Sequence, residues 1–126
     1  MMSNPVIDGM RVLVVEDEML ISLMLTDMLE QLGCSAVGPA ATLGEAWPLV
    51  EAQAYDCAVL DVHVDGQSVY DLADAVSARG CPVVIASGSG SDALPERFRN
   101  AILLPKPYSV TALEAALVRA HAGTAA

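Results

Sequence analysis

At 126 residues, 54% of them hydrophobic, the chain has the size of one compact domain and is too apolar to be disordered or of low complexity. Sixteen acidic residues against six basic ones give a formal charge of −10. The basic residues are scattered rather than gathered into a stripe, so direct nucleic-acid binding lacks its electrostatic footprint.

Arg11 to Val15 (RVLVV) is a β-branched run that stops abruptly at Glu16-Asp17-Glu18, the pattern of a strand buried on both faces whose C-terminal end meets solvent. From Met19 to Leu32, Ile21, Met24, Leu25, Met28 and Leu32 recur at helical spacing and predict a first helix stopped by Gly33. Cys34 to Val37 predicts a short second strand. Thr42 and Glu45 have the spacing of a capping box for a second helix, which Pro48 should shorten or kink. Asp56 to Leu60 (DCAVL) predicts a third strand with Asp61 at its end, and Val69, Leu72, Ala73 and Val76 mark a third helix stopping near Gly80. Pro82 to Ala86 (PVVIA) predicts a fourth strand ending at Ser87. Gly88 to Pro95 is rich in glycine and serine and has little periodicity, so a fourth helix should be short or absent. Ala101 to Leu104 predicts a fifth strand with Lys106 just beyond it, and Ser109 is placed to cap a last helix carrying Val110, Leu113 and Leu117.

Strands alternating with helices predict an α/β fold, a five-stranded parallel sheet with helices on both faces and right-handed crossovers. Residues 1–10 read as an N-terminal extension, 11–122 as the domain and 123–126 as a C-terminal tail, with no output domain attached. Cys34, Cys57 and Cys81 lie far apart in apolar stretches, which suits reduced, buried thiols better than disulfides or metal ligands. Met1 to Met10 lacks the basic start and apolar run of a signal peptide, and no stretch approaches the roughly 18 apolar residues of a membrane span. A cytoplasmic location with no membrane role is expected.

In an open parallel sheet the functional crevice lies outside the carboxyl ends of the strands. The polar residues at those ends are Glu16, Asp17, Asp61, Ser87 and Lys106. Glu16, Asp17 and Asp61 would bring three carboxylates into one pocket, where like charges raise one another's pKa unless a cation intervenes. Mg²⁺, which prefers oxygen ligands and retains waters, suits such a set, whereas no thiolate or paired imidazole is at hand for zinc. An aspartate carboxylate can be a nucleophile toward phosphorus. Asp61 is the candidate, with Lys106 to neutralise charge on the transferring phosphoryl oxygens and the Ser87 hydroxyl to donate to another.

Singly, each feature has a plainer reading: an acidic helix start for Glu16-Asp17-Glu18, a solvated lysine for Lys106, a loop start for Ser87-Gly88, incidental histidines for His63 and His121. Gly88-Ser89-Gly90-Ser91 lacks the lysine and spacing of a P-loop and reads as a connector. Their order and placement at successive strand ends carry the functional reading.

The motifs VVEDE (Val14 to Glu18), LD (Leu60-Asp61), AS (Ala86-Ser87) and PKPY (Pro105 to Tyr108) resemble the receiver domains of bacterial two-component response regulators, from about Arg11 to His121. The resemblance implies a flavodoxin-like, CheY-like fold. It makes Glu16 and Asp17 the acidic pair, Asp61 the phosphoacceptor, the backbone carbonyl of His63 a further Mg²⁺ ligand, Ser87 the switch hydroxyl and Lys106 the phosphate-contacting lysine, before a Lys-Pro bond that is usually cis. It further implies a phosphoacceptor signalling domain rather than an enzyme, one that promotes its own phosphorylation and dephosphorylation. The phosphoryl group would come from a phosphohistidine on a sensor histidine kinase or histidine phosphotransferase. The chain would then serve a downstream protein as shuttle, sink or switchable adaptor.

PVVIASGS followed by LPERFRNA is similar to an alphaproteobacterial subgroup of single-domain receivers with a Phe-Ala-Thr-Gly-x-Tyr signature and a reduced fourth helix. Ile85, Ser87 and Ser89 stand at its Phe, Thr and Tyr positions, and Ser89 is where receivers often govern water access. The loop after Asp61 (VHVDG) is shorter than in most receivers, and Leu103 stands where many place the aromatic partner of the switch hydroxyl. These departures keep a second reading open, a phosphorylation-independent receiver serving only as a protein-interaction module. A phosphatase with an aspartyl nucleophile is a third, against which the lack of a paired Asp-x-Asp after the first strand counts. On the first helix Met19, Leu20 and Leu23 fall outside the apolar stripe and read as a docking patch for a histidine-bearing helical bundle.

Overall fold

A computed structural model describes residues 4–87, 94–98 and 101–125. The elements in chain order are β1 (Arg11–Val15), α1 (Met19–Gln31), β2 (Ser35–Ala40), α2 (Leu43–Ala52), β3 (Cys57–Asp61), β4 (His63–Val64), β5 (Gln67–Ser68), α3 (Tyr70–Ala78), β6 (Val83–Ser87), β7 (Ile102–Pro105) and α4 (Val110–Ala125). Five of the strands form one parallel sheet in the order β2-β1-β3-β6-β7, while β4 and β5 make a separate antiparallel hairpin. Strand order reverses between β1 and β3, which puts the crevice of such a sheet at their carboxyl ends.

The central strands are apolar throughout because both their faces are covered. Val12, Val14, Val59 and Val84 face one core with Leu25, Leu29 and Leu32 of the α1 segment and Leu113 and Leu117 of α4. Their neighbours Leu13, Val15, Leu60 and Ile85 face the other, with Val50 of α2 and Leu72 and Val76 of α3. Residues 4–10 belong to the first of these cores: Ile7 and Met10 are buried in it, the Gly9 N–H donates to the Gly33 carbonyl at 2.8 Å, and Asn4 Nδ2 donates to Glu114 Oε2 at 2.9 Å. α4 continues through Ala125.

The inward face of α1 is turned from the periodicity read above. Ser22, Leu25 and Leu29 are buried, Ile21 and Met28 only partly, and Met24, placed in the core stripe on sequence grounds, is 41% exposed. The helix is apolar on nearly every side, so spacing alone does not fix its phase.

β2 runs beyond Val37 to Ala40 through a bulge: Leu13 pairs with Val37 and Val15 with Ala40, so Gly38 and Pro39 together oppose Val14. Gly38 has φ +93° and a cis bond to Pro39, and a Cβ there would lie 2.8 Å from the Ala40 nitrogen and 3.3 Å from the Val14 carbonyl oxygen. Only glycine fits. Beyond the bulge the Glu16 N–H donates to the Ala40 carbonyl at 3.0 Å, extending the pairing to the first site residue.

Thr42 caps α2 as its spacing predicts, accepting from the Glu45 N–H at 3.1 Å, while Glu45 Oε1 accepts from the Ala41 N–H at 2.8 Å. The helix runs through Pro48 for ten residues in all. Between β6 and β7, the described residues hold a single 3-10 turn, Glu96–Phe98, in keeping with a short or absent fourth helix. Phe98 stacks on Tyr70 at 5.4 Å, and Arg97 grips both carboxylate oxygens of Asp74 at 3.2 and 3.0 Å. The Gly88–Ser91 connector and Ser89 lie outside the described residues. No helix among the described residues is long and apolar enough to cross a membrane.

Replacing Gly38 by alanine should cost more than about 1 kcal/mol, because the left-handed φ and the backbone clash add. Urea unfolding of G38A checks this, and an unchanged midpoint would refute the bulge argument.

Candidate functional site

Parallel strands deliver their carboxyl ends to one edge, and the apolar runs of β1, β3, β6 and β7 give out there together. Asp61 pairs with Ala86, Ser87 with Pro105, and the Lys106 N–H donates to the Ser87 carbonyl at 3.3 Å. Glu16, Asp17 and Asp61 each offer an oxygen within 4.8 Å of the others, and theirs is the one acidic cluster of this kind among the described residues. Lys106 Nζ lies 3.1 Å from Asp61 Oδ1 and 3.4 Å from Glu16 Oε1. Lys106-Pro107 is cis.

The three acids sit differently. Glu16 is only 2% exposed; its Oε2 accepts from the Glu18 N–H at 3.2 Å and its Oε1 from the Tyr108 hydroxyl at 3.4 Å. Asp17 is exposed, and its Oδ2 accepts from the Asp65 N–H at 2.8 Å. Asp61 lies between them in burial. Ser87 is half-buried at the end of β6, next to Lys106 across the ladder. His63 is exposed, opens β4 and pairs with Ser68, and its ring is outside the acid cluster.

Burial pushes Glu16 up to about 7, and the negative charge of Asp61 adds to this, against the opposing pull of the Glu18 N–H and Lys106. For Lys106, burial works against the charged form, but the hydrogen bond and charge of Asp61, with Glu16 behind them, win and raise it, so the ammonium stays protonated. Burial, then the charges of Glu16 and Asp61, raises the Tyr108 hydroxyl and keeps it a donor. One ammonium cannot neutralise three carboxylates. A hard divalent cation with oxygen ligands fits the donor set, and the exposure of Asp17 leaves room for its waters.

Two parts of the site were missed in the sequence. Tyr108 stands out in the sequence only as the last residue of PKPY, yet it tethers the most buried acid. The segment after Asp61, a short loop by its sequence, is a hairpin turning at Asp65-Gly66, both at positive φ. Asp-Gly beside a buried Val64 is a strong hairpin signature and could have revealed it.

On α1, next to the acids, Met19, Leu20 and Leu23 are 76%, 82% and 59% exposed. Met19 and Leu23 line a cleft of about 240 Å³ with Pro39, Ala41 and the two acids Glu16 and Asp17.

This sheet order, with acids and a lysine gathered at the switch point, defines a class of signalling domain. The family model for the response regulator receiver domain matches residues 12–117, and the chain belongs to that family, the receiver modules of two-component systems. Among its relatives is PdtaR, a transcriptional regulatory protein of Mycobacterium tuberculosis, 36% identical over 82% of this chain; the chain spans about half, 52%, of that protein's length. The solution structure of SdrG from Sphingomonas melonis Fr1 is 36% identical, with a TM-score of 0.79 over 94% of this chain and 98% of that one. The response regulator PhyR from Brucella abortus is 28% identical, with a TM-score of 0.73 over 89% of this chain and 47% of that one.

A carboxyl whose pKa rises on folding binds more protons in the native state than in the unfolded one, so between its ordinary value of 4.5 and about 7 Glu16 destabilises the fold progressively as pH rises. Unfolding measured in chelator should show a loss on the order of 2 kcal/mol across that window. E16Q should flatten it; an equal slope in E16Q would refute the assignment.

Proposed function

We propose that the chain accepts a phosphoryl group on Asp61 from a phosphohistidine of a sensor histidine kinase or histidine phosphotransferase. The observation that carries this reading is the Lys106 ammonium 3.1 Å from Asp61 Oδ1, within a cluster of three carboxylates. Receiver domains as a family exchange phosphoryl groups with such partners. The completeness of the acid and lysine set favours a phosphoacceptor over a module that works without phosphate.

In this reading Glu16, Asp17, Asp61 and the backbone carbonyl of His63 hold Mg²⁺, which when bound would neutralise charge on the phosphoryl oxygens. An Asp61 oxygen forms the new P–O bond as the P–N bond breaks, and the imidazole leaves with the bonding pair and takes up a proton. Lys106 already bridges Asp61 and Glu16, so its ammonium is placed to follow the phosphoryl oxygens without entering from solvent. Ser87 donates its hydroxyl to a phosphoryl oxygen. A shift around Ser87 and β7 then changes what the outer face binds. The domain then acts on a downstream protein as shuttle, sink or adaptor in the cytoplasm, and it turns over no separate substrate.

Intact-mass measurement after incubation with a small acyl phosphate and Mg²⁺ should show one acid-stable, base-labile phosphate, absent in D61N. No adduct with either the small donor or a cognate kinase would leave the interaction-module reading standing.

The exposed Met19, Leu20 and Leu23 beside the acids support docking of the donor's helical bundle on α1. L20E and L23E should each slow transfer from the cognate donor by about tenfold or more while leaving labelling by the small donor intact. Unchanged transfer would remove the patch from the proposal.

A further inference from the structure

The hydrogen bond from the Asp65 amide to Asp17 plays no part in the reading above. β4 and β5 pair His63 with Ser68 and Val64 with Gln67, so the connection is the two-residue turn Asp65-Gly66, with φ +53° and +75°. These are the left-handed angles of a type I′ hairpin, whose twist matches its strands. Its base is fixed: the Val69 N–H donates to the Val62 carbonyl at 2.9 Å, and Val64 and Val69 are fully buried. An anchored arm therefore rises from the end of β3, and its tip returns to Asp17 with the Asp65 N–H 2.8 Å from Oδ2.

Asp17 needs such a partner. It lies past the end of β1 and is exposed, so neither the sheet nor a packed core holds its carboxylate, and an unrestrained side chain must lose rotamer freedom on binding a cation. A backbone amide on one oxygen removes that freedom in advance and gives the carboxylate a fixed orientation toward Glu16 and Asp61. We propose that the Asp65-Gly66 turn is a positioning element for the cation site, setting cation affinity by orienting Asp17 through the Asp65 amide. This rests on the reading of Asp17 as a cation ligand.

Gly66 gives a clean way to test it. A Cβ there would meet nothing within 4 Å, so a substitution acts through backbone conformation rather than crowding. Asparagine tolerates the left-handed region, whereas β-branched valine does not. Mg²⁺ binding measured by calorimetry should be about tenfold weaker in G66V and restored in G66N. In chelator, the Asp65 amide of the parent should exchange slowly with solvent deuterium, and D17A should abolish that protection. Circular dichroism checks that G66V folds, with G66A in its place if it does not. Parental Mg²⁺ affinity in the substituted turn, equal weakening in G66N, or a fast-exchanging Asp65 amide in the parent would each overturn the proposal while Mg²⁺ binding by the parent still stood. A parent that binds no Mg²⁺ would instead overturn the cation reading beneath it.

Discussion

The site is organised by a shortage of positive charge. Three carboxylates converge with one ammonium among them, and burial, with the negative charge of Asp61 behind it, pushes the most buried acid up to about 7. Such an arrangement is costly unless something else in the pocket compensates for it. Lys106 reaches two of the acids at once, the Asp65 amide takes an oxygen of the third, and the Tyr108 hydroxyl serves Glu16. The remaining deficit is what a divalent cation and then a phosphoryl group can exploit, the first by adding charge and the second by giving the ammonium new oxygens to bind.

What assembles this pocket is the parallel register. Glu16, Asp61, Ser87 and Lys106 stand at the ends of four strands far apart in the chain, yet each follows an apolar run of similar length, and parallel pairing brings the ends level. The bulge at Gly38-Pro39 lets β2 keep its ladder to Ala40, so that Glu16 is still hydrogen-bonded to the sheet when it enters the site. Stability and reactivity therefore meet at the same residues.

Much of this was legible in the sequence because it depends on local patterns. The apolar runs broken by charged or small polar residues mark β1, β3, β6 and β7 and what lies at their ends, and Thr42 and Ser109 mark helix starts that their hydrogen bonds bear out. The phase of α1 was not legible, since a helix apolar on nearly every side has no preferred face until Leu29 packs. Nor was the Tyr108 tether, which joins residues 92 apart in the chain. The hairpin was legible in principle but hidden by its length, two residues per strand, too short for any alternation to show.

Residues 4–10 lie before the family match, yet they close the end of the sheet opposite the site. Ile7 is buried there, and its carbonyl lies 3.4 Å from the sulfur of Cys34, whose thiol burial raises to about 11. The segment is therefore the lid over a thiol that stays protonated and unreactive at neutral pH. A fragment cut at the family boundary would uncover the apolar residues that Ile7 and Met10 cover and a cysteine together, opening that end of the sheet to oxidation and self-association.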